Sequence, residues 1–199
     1  MLSDVMCTAE ILRGGGVIVI PTETLYGLSA CVTCPEAILR VVAIKGRDPH
    51  KPMPLIAADL AQVRSIAFLE PSEERLAEHF WPGPLTLVLR ARPGVSPELV
   101  AADGTLGIRV TSHPMARSLA LSCGQPLVAT SANISGIPAV SEIKDLDPDL
   151  VQKVDYVLDG GSLPGGLPST LIQVCGETLR VIREGAITRE AIMRAFEGG

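Results

Sequence analysis

A chain of 199 residues is long enough for one domain with a substantial core. Hydrophobic residues make up 47% and aromatics only 3%, so that core must be aliphatic, and 20% charged residues of mixed sign do not describe a disordered chain. The net charge of −5 weighs against a general nucleic-acid binder. No basic-then-apolar leader opens the sequence and no apolar run approaches a membrane span, so a soluble, cytoplasmic protein without a membrane partner is expected.

Residues 3–13 read as a helix capped by Ser3, with Val5, Ala9 and Leu12 on one side and Gly14-Gly15-Gly16 ending it. Residues 17–20 form a buried strand, which opens into the polar turn Pro21-Thr22-Glu23-Thr24-Leu25-Tyr26-Gly27-Leu28. Core packing does not ask for two threonines, a glutamate and a tyrosine there, whereas a small-molecule pocket at a strand end does. Residues 29–32 are a second candidate strand. Pro35 starts a helix that runs to about Ile44 and packs through Ile38, Leu39, Val42 and Ala43. The loop from 46 to 54 carries Pro49, Pro52, Pro54, Arg47 and Lys51. A short strand at 55–57 follows, and Asp59 and Ser72 read as the N-caps of two more helices.

Pro82-Gly83-Pro84 turns the chain into a strong strand at 85–89. Residues 104–110 form another, with Arg109 near its end among apolar neighbours. Residues 113–123 are helical and Gly124 stops them; 126–130 is a strand that delivers Ser131-Ala132-Asn133. Strands at 156–158, 170–174 and 179–182 complete the sheet, and Thr188 caps a last helix that faces inward through Ile192 and Phe196. The glycine-rich stretch 160–166 reads as a flexible active-site loop. Strands and helices interleave, which predicts a single α/β domain over 1–199, a twisted mixed β-sheet with helices packed on its faces.

Five cysteines, Cys7, Cys31, Cys34, Cys123 and Cys175, are an odd count that argues against a disulfide framework. Cys31-Val32-Thr33-Cys34 is an unaccompanied C-x-x-C, and His50, His79 and His113 lack ligand spacing, so no tightly bound metal is expected. There is no P-loop, no dinucleotide-binding glycine motif and no nucleophile elbow. A bound nucleotide would therefore rest on basic side chains and hydroxyls. Lys45, Arg47, Lys51 and Arg183 can meet phosphate charge, and Ser131, Asn133, Ser141 and Ser169 can add neutral hydrogen bonds. Arg109, if buried, needs an acidic partner, either an internal carboxylate or that of a substrate.

The Pro21–Leu28 turn, Lys45-Gly46-Arg47, Ser131-Ala132-Asn133-Ile134-Ser135-Gly136, Pro168-Ser169-Thr170 and Ile182-Arg183-Glu184-Gly185 resemble, in that order, the YrdC-type family, the threonylcarbamoyl-adenylate synthases. The resemblance implies a YrdC/RibB-like fold and formation of threonylcarbamoyl-AMP and pyrophosphate from L-threonine, bicarbonate (or carbon dioxide) and ATP. Magnesium would accompany ATP. A tRNA threonylcarbamoyl transferase complex would take the product downstream, and a weak tRNA contact is left open. By the same resemblance Thr24, Tyr26, Arg109, Ser131 and Ser169 lie at threonine-binding positions. Lys45, Arg47, Lys51, Thr105, Asn133, Ser141 and Arg183 lie at ATP-binding ones, with Lys45 and Arg47 catalytic. The sequence departs from the family pattern at Asp48, which precedes Pro49, at Ile56, where some members have a threonine-contacting histidine, and at Gln173, where aspartate is common. It ends soon after Arg183, so the extra C-terminal domain of the longer branch is not expected. Two other readings stay open: an RNA-binding or ribosome-maturation protein of the same fold, and a synthase using another carbamoyl donor.

Overall fold

The computed structural model describes residues 2–48 and 51–198, without the side chains of Leu2 and Ser3. The Ser3 side chain, expected as a cap, and the loop residues Pro49 and His50 lie outside what is described. Seven α-helices and ten strands alternate along the chain among those residues. Helix α1 (Leu2–Arg13) buries Val5, Ala9 and Leu12, as its spacing requires. Strand β1 (Ile18–Ile20) and β2 (Gly27–Ser29) flank the polar turn. Helix α2 (Pro35–Lys45) has Pro35 in its first turn and Gly46 beyond its end, at φ 57°, where a left-handed residue closes the last carbonyls and a side chain would be strained. Next come β3 (Leu55–Ala57), α3 (Leu60–Ile66), α4 (Pro71–Phe80), β4 (Leu85–Arg90), β5 (Thr105–Val110) and α5 (Pro114–Cys123). The chain then runs through β6 (Leu127–Val128), β7 (Thr130–Ser131), α6 (Pro148–Val151), β8 (Tyr156–Val157), β9 (Thr170–Cys175), β10 (Thr178–Arg183) and α7 (Arg189–Glu197).

The mixed α/β expectation holds, with differences. The second strand is Gly27–Ser29 rather than 29–32, and α2 buries Ala37, Ile38, Val41 and Ile44 while Leu39 and Ala43, expected inside, are exposed. The strands divide between two sheets, ordered β7-β2-β1-β8 and β10-β9-β4-β5-β3-β6, rather than sharing one. The division happens inside the apolar run at 126–130. Its first half pairs with β3, its second with β2 (Gly27↔Ser131), and at Ala129 between them the N–H donates to Pro54 O at 2.9 Å. Helix α4 begins two residues earlier than expected. Pro71 opens it and the Glu73 carboxylate accepts from the Glu70 N–H at 2.8 Å, so Glu70 rather than Ser72 is the cap. Asp59 and Thr188 cap their helices as read.

The six-stranded sheet has two distinct faces because side chains alternate along each strand. Leu85, Leu87 and Leu89 of β4, Leu106 and Ile108 of β5, and Ile172 of β9 face the larger core, where they meet Val41, Leu76 and Ile192 from the helices. Each such residue, fully buried, contributes about 1.5–3 kcal/mol. A second core under α1 and α5 contains Ile18, Ile20, Ile56, Leu119 and Leu127. The other face of β4, β5 and β9 carries Thr86, Val88, Thr105, Gly107, Arg109 and Leu171, and this face meets the end of the four-stranded sheet. No helix among the described residues is long and apolar enough to cross a membrane.

Candidate active site

A cavity of about 860 Å³ opens where the two sheets meet. Its wall comes from the Thr22–Gly27 turn, the end of α2, β5, the 129–139 segment and the Ser169 and Arg183 region. The turn is built by its own hydroxyl. Thr22 Oγ1 donates to Leu25 O at 2.7 Å and accepts from the N–H groups of Thr24 and Leu25, which holds Thr24 at the wall. Tyr26 is fully buried, and its hydroxyl donates to Gly161 O at 2.7 Å and accepts from Gly160 N at 3.1 Å. Gly165 N also donates to Thr24 O at 3.0 Å. The glycine-rich stretch is thus tied down on the turn rather than free.

Glu23 reaches the other way. Its Oε1 accepts from Arg109 Nε at 2.5 Å and its Oε2 from Thr111 Oγ1 at 2.6 Å, with the two charged side chains 8% and 5% exposed. Burial alone would raise the Glu23 carboxyl; Arg109 and the Thr111 hydrogen bond outweigh it and hold the group ionised. The internal carboxylate and the cavity are therefore not alternatives for Arg109. Glu23 takes the Nε edge and fixes the plane of a guanidinium that lines the cavity.

Lys45, the last residue of α2, is 5% exposed. Its ammonium donates to Ser131 O at 2.5 Å, Asn133 O at 3.0 Å and Asn133 Oδ1 at 3.1 Å, and Ser135 N in return donates to Lys45 O at 2.9 Å. Burial and the neighbouring Arg47 push Lys45 down to about 8. Arg47 donates through Nη2 to Pro52 O at 3.2 Å, while its Nε is buried without a partner. A buried, unsatisfied donor on the wall of a cavity is a place where a ligand oxygen would relieve a penalty.

Arg183 closes the far side. Its Nη2 donates to Ser169 O at 2.8 Å, and the Ser169 hydroxyl pairs with Thr86 Oγ1 at 2.8 Å. Burial and the positive charge of Arg109 lower Arg183 from its usual value, so two guanidinium groups face one space. Gly185 permits this geometry: a Cβ there would stand 2.1 Å from Pro168 O. Thr170 Oγ1 also accepts from Gly185 N and Ile187 N, both at 3.0 Å, strapping the Arg183 arm to the serine segment.

Five basic side chains, Lys45, Arg47, Lys51, Arg109 and Arg183, thus share the wall with one acidic one, Asp48, in a protein whose net charge is −5. Such a concentration of cations favours a polyanion. Of the residues singled out in the sequence, Thr24, Tyr26, Thr105, Ser131, Asn133 and Ser169 also line the cavity. Ser141 does not. Its side chain lies beside Gly165 of the glycine stretch, and its carbonyl accepts from Leu163 N at 2.9 Å. Tyr26 offers ring rather than hydroxyl, because the hydroxyl is occupied by the loop. The Thr105 hydroxyl donates to Asp103 Oδ1 at 2.6 Å. Ile56 is fully buried in the core under α1 and α5, so its side chain contributes no threonine contact. Thr86, Thr111 and the roles of Thr22 and Glu23 were not read from the sequence. The period-two alternation of 85–90 and 105–110 carries the signal for Thr86, since it shares a sheet face with Arg109.

The Sua5/YciO/YrdC family model, described as "Telomere recombination", matches residues 10–185. A threonylcarbamoyl-AMP synthase of Nitrosococcus oceani is 41% identical over 157 residues, 78% of this chain and 85% of its own. One of Bacillus subtilis is 34% identical over 186 residues, 92% of this chain but 54% of the longer protein. The crystal structure of Pyrococcus abyssi Sua5 complexed with L-threonine superposes with a TM-score of 0.91 at 33% identity, over 96% of this chain and 56% of that one. The chain thus spans about half the length of some relatives and most of others.

Proposed function

The chain belongs to the Sua5/YciO/YrdC family, and from that premise we propose that it is an L-threonylcarbamoyladenylate synthase. The observation that carries this reading is the group of five cations on one cavity wall, two of them, Lys45 and Arg109, almost fully buried and held in place by protein acceptors. The threonine amine attacks the one-carbon acid to form a carbamate. A carbamate oxygen then attacks the α-phosphorus of ATP and pyrophosphate leaves. No protein nucleophile takes part. The work of the protein is positioning and charge stabilisation.

In this reading Arg109, aimed by Glu23, binds the threonine carboxylate, and Thr24, Ser131 and Ser169 surround the rest of the amino acid. Arg47, Lys51 and Arg183 meet the triphosphate, and Thr105 and Asn133 border it. Lys45, between Ser131 and Asn133, stands where the two substrates meet. Magnesium carried by the ATP oxygens would share the phosphate charge that Arg47, Lys51 and Arg183 meet. In the same reading the product, a reactive mixed anhydride of AMP, passes in the cytoplasm to a transferase that acts on tRNA.

The test is pyrophosphate release from ATP, with threonine and bicarbonate omitted in turn, and mass spectrometry of the mixture. Release that needs both, with threonylcarbamoyl-AMP detected, supports the reading. Release independent of threonine, or no release together with tight RNA binding, overturns it.

A further inference from the structure

Away from the cavity, three of the five cysteines converge. Cys31 follows β2 and bridges to Leu127 of β6, and Cys123 ends α5; both are buried in the core beneath α1, and Cys34 packs against that core. The Cys31 and Cys123 thiols interact within that core, and Cys123 Sγ donates to Ala9 O at 3.9 Å. Cys34 caps the N-terminus of α2 across a tight turn, its N–H donating to Cys31 O at 3.2 Å, and it is partly open to solvent. The same turn is tied to the α5–β6 connection by Thr33 N donating to Gln125 Oε1 at 3.2 Å. Arg13 donates to Ser122 O at 3.1 Å, beside Cys123, and its positive charge acts on both buried thiols. The interaction lowers the Cys123 thiol and raises that of Cys31, so Cys123 is the more acidic of the two. Packing explains one buried cysteine; it does not explain an interacting pair, a solvent-reached third thiol three positions along the chain from the first and a cation beside them.

We propose that Cys34, Cys31 and Cys123 form an oxidisable thiol site whose oxidant is a small peroxide. The proposal is independent of the reaction in the cavity. Cys34 thiolate attacks the peroxide O–O bond, giving a sulfenic acid and releasing water or an alcohol. Cys31 attacks that sulfur, expels water and forms the Cys31–Cys34 disulfide. Cys123 thiolate then attacks the Cys31 sulfur, and Cys34 leaves as a thiolate and is reprotonated. Overall two thiols lose two electrons and two protons, the peroxide is reduced, and the cross-link rests between Cys31 and Cys123.

The reduced full-length chain is exposed to hydrogen peroxide, remaining thiols are blocked with N-ethylmaleimide, and non-reduced peptides are mapped by mass spectrometry over time. The expected end product is an intramolecular Cys31–Cys123 disulfide that dithiothreitol reverses. In Cys34→Ser, checked for folding by circular dichroism, its formation should slow at least tenfold. In the Cys7→Ser/Cys175→Ser variant, which alters the two exposed thiols, it should proceed at the wild-type rate. Oxidation confined to Cys7 or Cys175, or Cys34 carried to sulfinic acid while Cys31 and Cys123 stay alkylatable after unfolding, would overturn the proposal. The wild-type map decides this even if no variant folds.

Discussion

Two clefts in this molecule are lined by arginines, and they are built in opposite ways. In the large cavity Arg109 lies flat against Glu23 and Lys45 is ringed by three oxygen acceptors of Ser131 and Asn133, so charge is buried and aimed. In the second cleft, of about 680 Å³, Arg90 and Arg92 lie 4.3 and 4.4 Å from the centroid of the Phe68 ring, with both arginines exposed. The cavity has the features of a catalytic site, fixed dipoles and charges that need no rearrangement when a charged ligand arrives. The cleft has those of a surface, where stacking tidies long side chains and water screens their charge. Count of cations does not separate the two regions; what holds the cations does.

The sharpest way to test the cavity is through the substrate. Fixed hydroxyls that expect a ligand hydroxyl should reject valine, the near-isostere of threonine, by roughly 10⁴-fold in pyrophosphate release. Serine should be poorer than threonine but measurable. Equal rates with valine and threonine would mean that Thr24, Ser131 and Ser169 line the cavity without reading the ligand.

Next in size are Lys45→Ala and Arg47→Ala. Removing a charge that faces the departing pyrophosphate should lower the rate of adenylate formation by roughly 10²–10³-fold in a folded protein. Lys45 also gives the reaction a pH limb. Held down to about 8, it is a cation below that pH and loses its proton above it. The rate constant at low ATP should therefore fall as pH rises through about 8 in the wild type, and that limb should be absent from the residual activity of Lys45→Ala. Synthesis at the wild-type rate in both variants, with RNA binding lost instead, would return the cavity to the RNA-binding reading.

Arg109 needs a paired change. Arg109→Ala alone leaves Glu23 as an uncompensated buried charge, a loss of about 3–5 kcal/mol that threatens the fold. In Glu23→Gln/Arg109→Ala the charge is removed on both sides. In the proposed role Arg109 holds the threonine carboxylate through charge-assisted hydrogen bonds of about 1.5–3 kcal/mol each, so threonine affinity should weaken roughly 10- to 100-fold, with ATP affinity changed less than about threefold. Calorimetry with each ligand alone measures both. Unchanged threonine affinity would make the pair a structural brace.

Most of the cavity was legible in the sequence because its residues come as short polar motifs at the ends of strands and of α2, where polar side chains are not asked for by core packing. Lys45, Arg47, Thr24, Ser131, Asn133, Ser169 and Arg183 were all found that way. What stayed hidden depends on the third dimension. The reach of Glu23 to Arg109 spans 86 positions, and nothing local announces it. Thr86 is a threonine in an apolar strand until β9 is placed beside β4 in register with Leu85↔Thr170. Ser141 has the right chemistry, yet its side chain lies beside Gly165 and off the cavity wall. The fold followed the same rule. Single helices and strands could be read from periodicity and caps, whereas the division into two sheets turns on the partners taken by a five-residue run, which no local pattern records.

The smallest effect belongs to the second cleft and tests the other half of the comparison. Arg90 pairs across the strands with Thr105, which lines the cavity, so a route from cleft to site exists through the β4–β5 ladder. That route is backbone, and truncating the side chains leaves it in place. Each exposed stacking contact on Phe68 is worth about 0.5–1 kcal/mol. Arg90→Ala/Arg92→Ala should therefore lower stability by no more than about 2 kcal/mol in urea melts and leave pyrophosphate release within about twofold of wild type. The contrast with Arg47→Ala, one cation removed against two, is the measurement of interest. A tenfold or greater loss of synthesis in the double variant, at unchanged stability, would show that the cleft contributes to the reaction and that exposure alone is a poor guide to which arginines matter.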